Sequence, residues 1–231
     1  MTRPHGRVCV VGSINIDTTY LVSGIPRPGE TVLATGKVVA PGGKGANQAA
    51  AAAASGSRVA FVGRVGDDPE AGLAIGSLER DGVDVSQLLR IAGAATGTAV
   101  ILVAEGGENV IAVDPGANRK LTPEAVEAHL GATAYDVILA QLEIDPAAVL
   151  AAGRGRRGAT FVLNPAPILE DRTTMRELLR HTDILVPNRP ELGRLAGGPV
   201  PVTQEDLDRA VDALDFAGVV VVTLGAEGAV V

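Results

Sequence analysis

Apolar and polar positions along this chain fall into short blocks, and each block predicts an element. Val8 to Val11 is an apolar run that stops at Gly12-Ser13, as a buried strand does. Asn15 and Asp17 follow one residue apart, so in extended backbone both side chains point to the same side. Thr31 to Val39 has β-rich character without helical period and is predicted to be a strand. Pro41 to Gln48 is glycine-rich and runs into the strong helix formers Ala49 to Ala54, which predicts a loop opening a helix that ends at Ser55-Gly56. Arg58 to Val62 predicts a strand. Asp67-Asp68-Pro69 starts a helix to about Arg80, with a capping carboxylate and proline in the first turn, and Asp81-Gly82 stops it.

Thr98 to Ala104 and Asn109 to Val113 are β-rich runs joined by Glu105-Gly106-Gly107-Glu108, a hairpin pattern. With Thr31 to Val39 they form strands not interleaved with helices, so a small accessory sheet is expected. From Thr122 the alternation is regular. Thr122-Pro123-Glu124 caps a helix, Val137 to Leu142 is a strand, Pro146 to Ala152 a helix and Thr160 to Leu163 a strand stopped by Asn164-Pro165-Ala166-Pro167. Residues 173–180 are helical, Ile184 to Val186 extended, Glu191 to Ala196 and Thr203 to Leu214 helical, and Val219 to Thr223 extended. Such alternation predicts an α/β fold, a mostly parallel sheet flanked by helices. Ala229-Val230-Val231 reads as the start of another strand, and a terminus in mid-strand suggests a shortened chain.

Composition narrows this picture. The 231 residues are 46% hydrophobic but only 2% aromatic, so the core is aliphatic, as under a parallel sheet. A net charge of −7 argues against a nucleic-acid partner. Cys9, the single cysteine, is expected buried and unpaired. Only four apolar residues follow the stretch Met1 to Arg7, too few for a signal peptide, and no run is long enough to cross a bilayer. A cytoplasmic protein with no membrane partner is the expectation.

The chemistry is expected beyond the carboxyl ends of the strands, where open parallel sheets bind ligands. Asn15 and Asp17, Glu143, Asn164, Asn188 with Glu191, and Thr223 with Gly225 and Gly228 all stand just past strands. At the glycine loop, Lys44 and Asn47 are the long or polar side chains at a helix N-terminus, where free N–H groups suit an anion or a polyhydroxylated ligand. The loop is no P-loop, because Gly45 stands where a hydroxyl would follow the lysine. His5, His129 and His181 are scattered without metal-ligand spacing, no G-x-S-x-G elbow occurs, and Gly12-Ser13-Ile14-Asn15 lacks a dinucleotide fingerprint. Carboxylates, amides and one lysine suit a polyol.

Gly12-Ser13-Ile14-Asn15-Ile16-Asp17, Pro28-Gly29-Glu30-Thr31, Gly42 to Gln48, Gly66-Asp67-Asp68, Gly116-Ala117-Asn118, Asn164-Pro165-Ala166-Pro167, Pro187-Asn188 with Glu191, and Thr223-Leu224-Gly225 occur in an order that resembles the ribokinases, of the ribokinase-like (PfkB-type) carbohydrate kinase family. The resemblance implies a doubly wound sheet with a small β-lid, its strands from about residues 15–40 and 97–114, that often forms a dimer contact. It implies a sugar site of Asn15, Asp17, Gly43, Lys44, Asn47 and Glu143, with Asn188, Thr223, Gly225 and Gly228 facing ATP. Glu191 would act indirectly on Mg2+, and K+ would join in a complete chain. The implied reaction moves the γ-phosphate of ATP to the 5-hydroxyl of ribose. The sequence departs from the family at Pro190, and it ends at Val231 before the family's Gly-Ala-Gly-Asp anion hole and aspartate base. The 231-residue chain alone is therefore expected to be inactive. The alternatives are a sugar-binding or regulatory relative without transfer, and a kinase for another sugar or nucleoside.

Overall fold

The computed structural model describes residues 6–231; Met1 to His5, including one of the three histidines, lie outside the described residues. The chain runs β1 (Arg7–Val11), β2 (Asn15–Val22), β3 (Gly36–Gly42), α1 (Lys44–Ala54), β4 (Arg58–Gly66), α2 (Pro69–Arg80) and β5 (Asp84–Ile91). It continues β6 (Gly97–Ala104), β7 (Asn109–Asp114), a 3-10 turn over Gly116–Lys120, α3 (Pro123–Ala132), β8 (Val137–Ala140), α4 (Pro146–Arg154), β9 (Thr160–Leu163) and α5 (Arg172–His181). The last part is β10 (Ile184–Leu185), α6 (Arg189–Ala196), α7 (Gln204–Asp212), β11 (Val219–Val220), β12 (Val222–Thr223), a 3-10 turn over Gly225–Glu227 and β13 (Ala229–Val230).

The main sheet has the order β11-β10-β9-β8-β1-β4-β5, and its strand pairs are parallel. β1 sits at its centre: Val8 to Val11 pair with Val59 to Val62 on one side and with Val137 to Ala140 on the other. That position explains the unbroken apolar run, since neither face of β1 meets water. Cys9 is fully buried there, and burial pushes its thiol up to about 12, so it is inert at neutral pH. On one face α3, α4 and α5 pack around Val126, Val149, Phe161 and Leu178, and α6 and α7 close over Val220 and Val222. On the other face α1 and α2 cover β1, β4 and β5 through Ala46, Ala49, Phe61, Ala74 and Leu78. Phe61 and Phe161 are fully buried, each contributing about 1.5–3 kcal/mol. The second helical layer stops short. Val162, Ile184, Val186 and Val221 belong to no core cluster and stay partly exposed.

A separate four-stranded sheet has the order β3-β2-β6-β7, with β2 and β6 parallel and the outer pairs antiparallel. It corrects one sequence expectation. The strand expected over Thr31 to Val39 is β3, shifted to Gly36–Gly42, with residues 31–35 outside it. It runs through Pro41, which an edge strand tolerates because its missing N–H has no ladder partner to lose. β2 is a full eight-residue strand that begins at Asn15, within the span of about 15–40 that the resemblance implies for lid strands. In the main sheet β5 was unforeseen, its edge position leaving Asp84, Arg90 and other polar residues in water. The expected strand Val219 to Thr223 divides in two. β12 keeps the parallel course, with Val221 N–H on Leu185 O at 2.8 Å and Thr223 N–H on Pro187 O at 2.9 Å, and it also pairs antiparallel with β13, so the final residues close a hairpin.

Candidate functional site

The sheet reverses its winding at β1: the chain leaves toward β4 on one side and later builds β8 on the other. Ligands settle at such switch points. The loop after β1 (Gly12 to Ile14) and the segment after β8 (Gln141 to Glu143) meet here, and the glycine loop before α1 is laid against both.

The contacts are specific. Ser13 Oγ donates to Glu143 Oε2 at 2.6 Å, and the Lys44 N–H donates to the same oxygen at 3.0 Å. Gly45 N–H donates to Ser13 Oγ at 3.2 Å and Ala46 N–H to the Ser13 carbonyl at 2.9 Å. Helix α1 has no side-chain cap of its own, since its N-cap is Gly43. Its first N–H groups are satisfied by residues distant in sequence, with the Glu143 carboxylate at the positive end of the dipole. This modifies the expectation of free N–H groups at the loop: the anion they hold is the protein's own.

The glycines make that approach possible. A Cβ on Gly43 would lie 2.8 Å from Asn15 N, one on Gly45 2.7 Å from Ser13 N, and one on Gly42 2.1 Å from Asp17 Oδ2. Gly43 also has φ 90° and ψ 135°, a region L-residues avoid. The close approach is therefore of backbone to backbone as well as of backbone to any ligand.

Asn15 and Asp17 share a face of β2, opposite Gly42 and Ala40 of β3. Asn15 is 2% exposed, and its Oδ1 accepts from Asn118 Nδ2 at 2.7 Å. Asn118 also clamps the loop, accepting from Ile14 N–H at 3.0 Å and donating to Ile14 O at 3.1 Å. With its oxygen held, Asn15 presents its NH2 donors. Asp17 Oδ1 is buried without a hydrogen-bond partner among the described residues, and burial, then the charge of Glu143, raises the Asp17 pKa from its ordinary value. An acceptor left bare beside a second carboxylate is suited to hydroxyl donors. Lys44 is half-buried and Asn47 exposed at the same helix opening, and neither side chain is hydrogen-bonded among the described residues.

A line of amides leads away from this cluster. Gln141, fully buried, donates to Gln48 Oε1 at 2.7 Å; Gln48 donates to Asn164 Oδ1 at 3.3 Å; Asn164 donates to Val186 O at 2.8 Å. It joins the ends of β8, α1, β9 and β10. Beyond Val186 lie Asn188 and Glu191, which form a capping box on α6: Glu191 N–H donates to Asn188 Oδ1 at 2.8 Å and Asn188 N–H to Glu191 Oε2 at 2.9 Å. Pro190 falls in the first turn of that helix, where a missing N–H loses nothing. Asn188 bridges to Thr223, and the exposed turn carries Gly225 at φ 63° and Gly228 at φ 91°. Among the described residues no group of three metal-ligating side chains is assembled. Glu191 keeps one carboxylate oxygen without a partner among the described residues, which fits a supporting role toward a phosphate-bound cation.

Ser13, Gln141 and the clamp by Asn118 escaped the sequence reading. Their partners lie roughly a hundred or more residues away, so no local pattern marks their roles; Ser13 and Asn118 stood inside quoted segments, but with no role attached.

A model of the pfkB family carbohydrate kinases matches residues 6–231. The chain belongs to that family. Among its family relatives, the ribokinase of Haemophilus influenzae is 37% identical over 228 residues, covering 95% of this chain and 72% of that protein. The bifunctional ribokinase/ribose-5-phosphate isomerase A of Fructilactobacillus sanfranciscensis is 39% identical over 195 residues, which are 83% of this chain and 36% of that longer protein. The Arabidopsis thaliana ribokinase complexed with ribose and ATP superposes with a TM-score of 0.80 at 31% identity, covering 98% of this chain and 74% of that one. The pfkB fold accounts for the sheet, the flanking helices and the small second sheet.

Proposed function

We propose that the protein is an ATP-dependent sugar kinase whose acceptor is D-ribose, phosphorylated at the 5-hydroxyl. The observation that carries this reading is the cluster at the switch point, where Glu143 is locked onto α1 beside the unpartnered Asp17 Oδ1. Asn15 and Asp17 from β2, Gly43 and Lys44 from the loop, and Asn47 and Glu143 would hold the sugar hydroxyls. Asn188, Thr223, Gly225 and Gly228 would face ATP, and Glu191 would steady Mg2+ through the phosphates. K+ is part of the same proposal, with no residue assigned to it. The relative solved with ribose and ATP supports both ligands.

These residues bind and orient. Phosphoryl transfer rests mainly on such positioning and on charge stabilisation. None of the described residues is given the role of base.

The small sheet would serve as a lid and a dimer contact. By register, Leu21, Val38, Ile111 and Val113 share the face that carries Asn15 and Asp17, and each is more than 40% exposed. Among the described residues no helix is long and apolar enough to cross a membrane; a cytoplasmic location without a nucleic-acid partner remains part of the proposal.

Calorimetric titration with ribose, with and without ATP, tests the reading together with an assay for ribose-dependent ADP release. Binding with no turnover would favour the sugar-binding alternative for this chain, and turnover with another sugar or nucleoside only would move the substrate. Asn47→Ala should weaken sugar binding about tenfold or more; unchanged affinity would remove Asn47 from the site.

A further inference from the structure

Arg64 is a charged residue buried on the opposite side of β4 from α1. It is 7% exposed, and its one hydrogen bond among the described residues runs from Nη1 to the carbonyl of Gly63, its own neighbour, at 2.7 Å. It makes no ion pair among the described residues. Burial lowers its pKa, with no carboxylate opposing the shift. The other N–H groups of the fork have no protein acceptor among the described residues and reach solvent only through a groove, so an acceptor from outside the chain would meet them there.

The rest of the fork faces a groove of about 960 Å³ between β4, β5 and α3. Beside Arg64 on the two strands its walls are Val62 and Leu89, with the amide of Gln87 in register with Val62. The groove's acidic residue, Asp84, pairs in register with Ala60, whereas Arg64 pairs with Leu89. Four strand residues therefore separate Asp84 from Arg64, roughly 13 Å at about 3.3 Å each. Arg7 and Arg58 lie at Asp84's end, with His129 bonded to Tyr135. The Arg64 end thus holds positive charge with nothing to balance it, in a chain whose net charge is −7.

We propose that the Arg64 end of this groove is a binding site for a small organic oxyanion, separate from the sugar and nucleotide residues. Its phosphoryl or carboxylate group takes the free N–H groups of the fork, and its body lies along Val62 and Leu89, with Gln87 at hand for a polar substituent. Arginine suits this task because its planar donors meet two oxygens at once. The site stands independently of the kinase reading.

Two probes separate the sources of the oxyanion: inorganic phosphate and butyrate, each titrated against the whole chain while Tm is followed. A ligand that binds the native state raises Tm with a saturating concentration dependence. At least one probe should do so, sodium chloride at equal ionic strength should not, and Arg64→Gln should abolish the shift. Arg64→Lys keeps the charge without the fork and should bind about tenfold more weakly. Asn188→Ala should leave the shift intact, which separates this site from phosphate held at the nucleotide residues. If Arg64→Gln does not fold, the Arg64 Nε–Hε NMR signal of the unaltered chain should move with the probe and not with chloride. A shift equal in wild type and Arg64→Gln, one matched by chloride, or none with either probe overturns the proposal.

Discussion

Gly43 and Gly225 both hold backbone that L-residues avoid, yet they sit in different surroundings. A Cβ at Gly43 would meet the backbone of Ile14 and Asn15 within 3.1 Å, whereas one at Gly225 would meet nothing within 4 Å. The same holds for their neighbourhoods. Around Gly43 the N–H groups of Lys44, Gly45 and Ala46 are tied to distant segments; around Gly225 the turn is exposed and carries local bonds such as Leu224 N–H to Gly228 O. Glycine-rich sequence thus marks two physical situations, a closely packed crossing of segments and a free turn. The residues proposed to hold the sugar are preorganised by the whole fold; the turn proposed to face ATP is held by its own few bonds and by one ion pair, Arg189 of α6 to Glu227 at 2.8 Å.

That contrast can be broken most directly at Gly43. Gly43→Ala should lose about 1–3 kcal/mol to dihedral strain and about as much again to overpacking against β2. Chemical denaturation measures the sum, and a loss below about 1 kcal/mol would show that the crossing is loose. Asp17→Asn comes next. It should weaken sugar binding about ten- to a hundredfold, as a charge-assisted bond worth about 1.5–3 kcal/mol would. The same substitution should stabilise the sugar-free protein at neutral pH, because the folded state raises the Asp17 pKa above 3.8. The sign follows from linkage: a carboxyl with a raised folded pKa favours folding while protonated, and that contribution is lost as pH climbs from about 3.8 through the folded value. Wild-type stability should therefore fall over that window relative to Asp17→Asn. Parallel pH profiles would remove Asp17 from the account.

Gly225→Ala should cost only about 1–2 kcal/mol, the left-handed penalty alone. A loss as large as that of Gly43→Ala would erase the distinction between the two regions. The smallest effect is expected at Glu191→Gln. Glutamine serves a capping box nearly as well, so stability should change by about a few tenths of a kcal/mol. A fall in nucleotide-dependent turnover at unchanged stability would show that Glu191 does more than cap α6.

The sequence disclosed what local physics controls. β1, β9, α2 and α3 end where apolar runs, N-caps and prolines place them, and the Gly42 to Gln48 loop announces itself by composition. β5 and the true start of β3 were hidden because both are edge strands, whose alternation is diluted by exposed side chains. At the site, Asn15, Asp17 and Glu143 stood out as polar residues just past strands. Ser13, Gln141 and the clamping role of Asn118 did not, since a buried serine or glutamine has no pattern of its own until the fold supplies its partner.

The bond from Ser13 to Glu143 spans 130 residues, and that from Lys44 to Glu143 spans 99. During synthesis the first half of the site therefore waits for the second. At roughly 5–20 residues per second a ribosome takes about 6–26 s to travel from Ser13 to Glu143. Over that interval the N-terminus of α1 has no carboxylate to cap it, and β1 has an open edge where β8 will pair. The helix whose glycines look most like a self-contained motif is thus among the elements that the nascent chain completes late.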